Sequence, residues 1–315
     1  MAGYLIRRLL QFVLTAAVAS VIVFLLMQVL PGNAAQVALG TNATPEAVAQ
    51  LERTYGLDRP LPVQYLDWIS GVLTGDFGTS YVTRAPITPV IADSIQVTLI
   101  IVIASMLVAL LIAVPLGSLA AVFQKRTLGT AISAASQVGI AVPNFLAAII
   151  LIMIFSLGLG WFPSSGWAAP IEGFGRFLAR LALPVLALAL VQAAILTRYV
   201  RSAVLEVMRE DFLRTARAKG LTKPQALVRH GLRNAAIPVV TVAGIQLATM
   251  LIGAVVIEQV FVIPGMGSEL VRAVANRDLV TVQGIVMVLV VLVLLLNLIV
   301  DLLYTVLDPR VRRAA

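Results

Sequence analysis

The chain has 315 residues, 60% of them hydrophobic and only 12% charged, with a mean hydropathy of +1.00. A soluble domain is about half apolar and about a quarter charged, so a soluble globular protein, a disordered chain and a fibrous repeat all fit poorly. No cysteine is present, which removes disulfides, thiolate metal sites and cysteine nucleophiles, and the net charge of +8 must be read from where it falls along an apolar chain.

A membrane-crossing helix needs about 20 apolar residues, because each rises about 1.5 Å through a hydrocarbon core about 30 Å thick. Six stretches qualify: residues 9–30, 97–123, 131–157, 181–199, 236–257 and 279–303. The first is preceded by Arg7 and Arg8 and followed by small residues at Asn33-Ala34-Ala35, as in a signal peptide. It is longer than the usual apolar region of about 7–15 residues, so it is expected to stay as a helix. Residues 31–96 are too long for a turn. Tyr65, Trp68 and Tyr81 there suit a water–lipid boundary, and Pro60, Pro62, Pro86 and Pro89 divide the segment. It is expected to form a small extracytoplasmic cap.

The second stretch carries no charge between Asp93 and Lys125. The third lies in a charge-free run cut by Pro163-Ser164-Ser165-Gly166, which reads as a turn at the membrane face. The fourth is the shortest. The fold class is therefore an all-α membrane protein with six transmembrane helices. Its divisions are residues 1–30 (terminus and first helix), 31–96 (cap), 97–304 (five-helix core) and 305–315 (tail).

Six spans place both termini on one side. That side holds Arg7, Arg8, Lys125, Arg126, nine basic residues between positions 198 and 233, and Arg310, Arg312 and Arg313. The other holds only Arg53, Arg59, Arg84, Arg176, Arg180, Arg272 and Arg277. The positive-inside rule puts both termini in the cytoplasm. The basic balance then follows from orientation and attraction to lipid headgroups, without nucleic acid.

The cytoplasmic stretch 202–235 is the most informative. Residues 211–219 combine good helix formers with an acid at the start and cations at the end. Gly220 falls where a left-handed residue ends a helix. Thr222 and Gln225 form a capping box around Pro224. The expectation is two short helices meeting at a sharp corner beside the membrane. Such a hairpin can lie at the lipid surface or dock into a partner through Phe212 and Ala216 flanked by Arg214 and Arg217.

The run Arg214-Thr215-Ala216-Arg217-Ala218-Lys219-Gly220-Leu221, followed by His230-Gly231-Leu232-Arg233-Asn234 and Pro238, resembles the EAA loop of ABC-importer permeases in the peptide/nickel branch. Further stretches resemble dipeptide/oligopeptide permease B subunits: Tyr4-Leu5-Ile6-Arg7-Arg8, Gly56-Leu57-Asp58-Arg59-Pro60, Gly75-Asp76-Phe77-Gly78-Thr79-Ser80 and Pro143-Asn144-Phe145. So do Phe261-Val262-Ile263-Pro264-Gly265-Met266-Gly267, Arg277-Asp278 and Asp308-Pro309-Arg310, and the likeness spans nearly the whole length. One departure is that the Glu-Ala-Ala naming the loop stands here as Arg214-Thr215-Ala216, as is usual in this branch.

The resemblance implies a type I ABC-importer transmembrane domain in the bacterial cytoplasmic membrane. It further implies a second, similar permease, one or two P-loop ATPases carrying ATP and Mg, an extracytoplasmic binding protein, and no catalysis by this chain. No Gly-x-x-x-x-Gly-Lys-Ser/Thr cradle occurs in the sequence. Phe212, Arg214, Ala216, Arg217, Lys219 and Gly220 would couple to the ATPase. Glu258, Gly265 and Gly267 would contact the binding protein or form a gate. Asn144, Gln192 and Gln246 would line the pathway or bond between helices, and Gly244 and Gly253 read as packing sites. Asp301 lies in the last span near the cytoplasm, and the single histidine, His230, has no metal or triad spacing. The implied substrate is a di- or oligopeptide, with a nickel chelate or another chelated solute as the alternative and an ATP-independent channel as the further rival.

Overall fold

The structure, a computed structural model, describes residues 2–29, 36, 39 and 43–307. Its helices are α1 (Ala2–Val29), α2 (Pro45–Tyr55), α3 (Leu61–Thr74), α4 (Ile87–Val122), α5 (Thr127–Ala141) and α6 (Asn144–Gly158). They continue as α7 (Phe174–Val207), α8 (Asp211–Ala218), α9 (Lys223–Val260), α10 (Met266–Ala275) and α11 (Leu279–Leu307). Among the described residues there is no strand, only an isolated bridge between Thr79 and Pro86. Among the described residues five helices are long and apolar enough to cross a membrane, or six if the bent pair of α5 and α6 counts as one span. The chain is a multi-pass, all-helical membrane protein.

Two of the expected spans change shape. The third stretch is not one rod: α5 and α6 meet at 103°. Pro143 has no N–H to give the helical ladder and pushes the preceding residue out of the helical region. Val142 is accordingly extended (φ −82, ψ 120). The Pro143 carbonyl then starts α6 by accepting from Leu146 (3.0 Å) and Ala147 (3.1 Å). The fourth stretch, the shortest by hydropathy, becomes the 34-residue α7. Arg180 and Arg198 end the apolar run but leave the helical backbone unbroken.

The described residues group into two compact units, one made of those within 2–5, 98–263 and 296–307 and the other of those within 6–97 and 264–295. In the first, α7 is central and packs against α5, α6 and α9. Small residues allow close approach, as at helix crossings in membranes. A Cβ on Gly117 would stand 2.6 Å from Val200, and one on Gly244 only 2.0 Å from Val300. Gly253 likewise faces Asn144 and Leu188, so both glycines read as packing sites occupy tight contacts.

In the second unit, α2 starts at Thr44, whose hydroxyl accepts from the Ala47 N–H (3.2 Å), and stops at Gly56 in a left-handed turn (φ 66). The Tyr65 and Ser20 hydroxyls share a hydrogen bond of 2.8 Å, and the Phe24 ring packs against Tyr65 and Trp68. Tyr81 stacks on Tyr55 with ring centres 4.0 Å apart. Of the aromatic residues expected at a lipid boundary, Tyr65 and Trp68 are thus engaged with each other and with α1, and Tyr81 with Tyr55 of α2. Ile87, Ile91, Met266 and Ile285 form the core of this unit.

Candidate coupling and outer-face sites

The short helix α8 has Asp211 in its first turn and Arg217 in its last, complementing the helix dipole. Its inward stripe is Leu213 and Ala216, both buried against Val200, Val204, Val207 and Leu227. This differs from the sequence expectation, which paired Ala216 with Phe212 on a docking edge. Leu213 went unnoticed, although its i, i+3 spacing to Ala216 marks one helix face. Phe212 is 40% exposed, and Arg214, Arg217 and Lys219 are exposed with it. The Arg214–Asp211 pair at 3.2 Å is open to water and adds little stability.

Gly220 follows with φ +97, and its N–H donates to the Arg217 carbonyl at 3.0 Å. A Cβ placed there meets nothing within 4 Å. The constraint is handedness and not bulk. The Thr222 N–H then donates to Gln225 Oε1 at 3.0 Å, as the capping box requires. The second short helix is not separate, however. It runs through a wide turn at Leu227–Gly231 into Leu232–Val260 as one 38-residue helix. A short helix therefore lies between two long ones.

At the far end of α9, Glu258 is fully buried and accepts from the Thr98 hydroxyl at 2.6 Å. Gly265 caps α10, Gly267 lies in its first turn, and both are buried. All three are therefore buried within this chain. Val262, close to them in the chain, is 70% exposed. Thr98 escaped sequence reasoning, because a lone threonine in an apolar run has no spacing signature. So did the buried group in which Ser80 and Thr281 each donate to Asp278 Oδ2 at 2.6 Å. Ser80 Oγ also accepts from the Thr83 N–H at 2.9 Å, tying its own turn. Nearby, burial raises the Tyr81 phenol above its ordinary value of 10.0, with Tyr55 and Asp278 adding to the shift.

The expected pathway residues lie around one helix junction. Asn144 begins α6 beside Gly253 of α9 and is half-buried. Gln192 sits one turn beyond Leu188 on α7, buried, with Nε2 lacking a hydrogen-bond partner. Gln246 is half-buried on α9, two turns before Gly253 and on the same face. His230 is exposed and Asp301 half-buried. The Asp308-Pro309-Arg310 motif lies outside the described residues.

Residues 113–313 match the family described as binding-protein-dependent transport system inner membrane component, and residues 1–102 match its N-terminal membrane component. The chain is 37% identical over 314 residues to the oligopeptide transport system permease protein AppB of Bacillus subtilis, covering 99% of both chains. It is 38% identical over 312 residues to the glutathione transport system permease protein GsiC of Salmonella choleraesuis, again covering 99% of both. A crystal structure of an amino acid ABC transporter with histidines shares the fold, with a TM-score of 0.50 and 16% identity over 69% of this chain and 94% of that one. The chain belongs to the inner-membrane-component family of binding-protein-dependent transport systems, as a membrane permease with the type I ABC-importer transmembrane fold.

Proposed function

We propose that this chain is the permease of an ATP-driven importer of peptides in the bacterial cytoplasmic membrane, with both termini in the cytoplasm. The observation that carries the coupling is α8. Leu213 and Ala216 seat it on the ends of two long helices, while Phe212, Arg214, Arg217 and Lys219 face outward. An apolar side chain ringed by cations suits the groove of a partner ATPase with an acidic rim. Closing that partner moves the permease between two states by binding one of them more tightly. The partners are one or two P-loop ATPases that hold ATP and Mg, a second permease of the same kind, and an extracytoplasmic binding protein. Peptide as the cargo is supported by the oligopeptide and glutathione systems named for its relatives.

Affinity purification of the assembled complex, followed by uptake of a labelled peptide into proteoliposomes, tests this. ATP-dependent uptake with co-purified ATPases is the expected result. Purification of the chain alone, with flux indifferent to ATP, would overturn it in favour of a channel.

A further inference from the structure

The second unit contains a cavity of about 860 Å³, bounded by the C-terminal end of α1, by α2 and α3, and by the start of α11. This lies within the range of about 300–1,000 Å³ typical of small-ligand sites. Apart from Tyr81, none of the residues of the candidate sites described above lines it, and it includes no coupling or pathway residue.

Its lining is mixed in a particular way. Glu52 and Asp76 bring negative charge, and Arg59, paired with Asp67, brings a guanidinium. Tyr55 and Tyr81 line it as a stacked pair, and Trp68 adds a further apolar wall. Gln283 also lines it, and its Nε2 is buried with no hydrogen-bond partner. A buried donor of this kind is destabilising until an acceptor reaches it.

These features narrow the ligand class. Among the described residues no three His, Cys, Asp or Glu side chains cluster to hold a metal, so a bare cation does not fit. A lipid acyl chain does not fit walls that carry carboxylates, a guanidinium and an amide, because burying them against hydrocarbon is costly. A short zwitterion with an amide backbone fits each feature. Its ammonium answers the carboxylates, a carbonyl or carboxylate answers Gln283 and Arg59, and a side chain lies against the tyrosine pair.

We infer that this cavity is a subsite for short peptides with free termini, outside the helix junction that carries Asn144, Gln192 and Gln246. The inference rests on the peptide-import reading above. The test uses the full transporter in nanodiscs of phosphatidylcholine and phosphatidylglycerol, without binding protein or ATP. The probe is a tripeptide with a central benzoylphenylalanine, photolysed and mapped by mass spectrometry. Labelling is expected within residues 52–81 and 279–283. It should fall about tenfold when both termini of the probe are blocked, and by a similar factor in Gln283→Leu and Glu52→Gln complexes recovered in wild-type yield.

Labelling confined to the helix junction, labelling indifferent to blocked termini and to both substitutions, or a bound lipid that the probe does not displace would overturn the subsite. Uptake of the same tripeptide, measured with binding protein and ATP, separates the two readings. Uptake without cavity labelling removes only the subsite. Cavity labelling without uptake of any peptide removes the import reading.

Discussion

Replacing Gly220 tests whether the corner after α8 transmits motion. The residue sits at φ +97 with open space where a Cβ would go, so any substitution costs backbone conformation and nothing in packing. An L-residue held left-handed costs about 1–2 kcal/mol, which lowers the population of the formed corner by about 5–30-fold. Asparagine tolerates this region best and valine, being β-branched, worst. Coupled uptake per ATP hydrolysed is therefore expected to fall in the order Gly, Asn, Ala, Val, while the yield of inserted, assembled complex stays level. The assay is peptide uptake and phosphate release measured together in proteoliposomes. If Gly220→Asn and Gly220→Val lose uptake equally, handedness is not the constraint. If Gly220→Val transports like wild type, the corner plays no part in coupling.

At the Gly244 crossing, Gly244→Ala drives a methyl into Val300 and is expected to destabilise the extracted protein by about 1–3 kcal/mol, read as a lower melting temperature. Adding Val300→Ala should restore most of the loss, and an additive double mutant would contradict the contact. Thr98→Val removes the hydroxyl that donates to buried Glu258 and is expected to cost about 1 kcal/mol in denaturant unfolding. An unchanged midpoint would show that the bond carries no net stability. Because the folded state raises the Tyr81 phenol above 10.0, its contribution is complete below that value and is lost as pH rises through the folded pKa. Tyr81→Phe should therefore flatten the alkaline loss of stability above about pH 10, and an identical alkaline limb in both proteins would refute it.

The spans were legible because charge-free length is a one-dimensional property, and α4 and α11 stand where the apolar runs are. The corner at Gly220 and the Thr222–Gln225 box were legible because caps are local. What escaped depends on three dimensions or on backbone continuity. Hydropathy fades at Arg198, yet α7 continues to Val207, since an arginine at a membrane face is compatible with helix. Leu227–Gly231 gives no break signal, so α8 looked like half of a hairpin and not a clip between two rods. Ala216 and Phe212 sit four apart, and only packing shows that Ala216 turns inward beside Leu213. The Thr98–Glu258 and Ser80–Asp278 bonds join residues 160 and 198 positions apart, a separation at which no spacing rule operates.

The elbow at Pro143 decides a question of parity. With 15 residues, α5 reaches about 22 Å, short of a hydrocarbon core about 30 Å thick. If both termini lie on one side, as proposed above, α5 and α6 must cross jointly as one broken span. Their break then falls at bilayer depth. Exposed backbone there cannot be solvated by lipid and persists only against protein or water. The elbow consequently marks a hydrated or protein-lined flank of the bundle, with Asn144 at its apex. Since the chain has no cysteine, single cysteines at Val142 and Phe145, probed with a charged thiol reagent, would report that wetting directly.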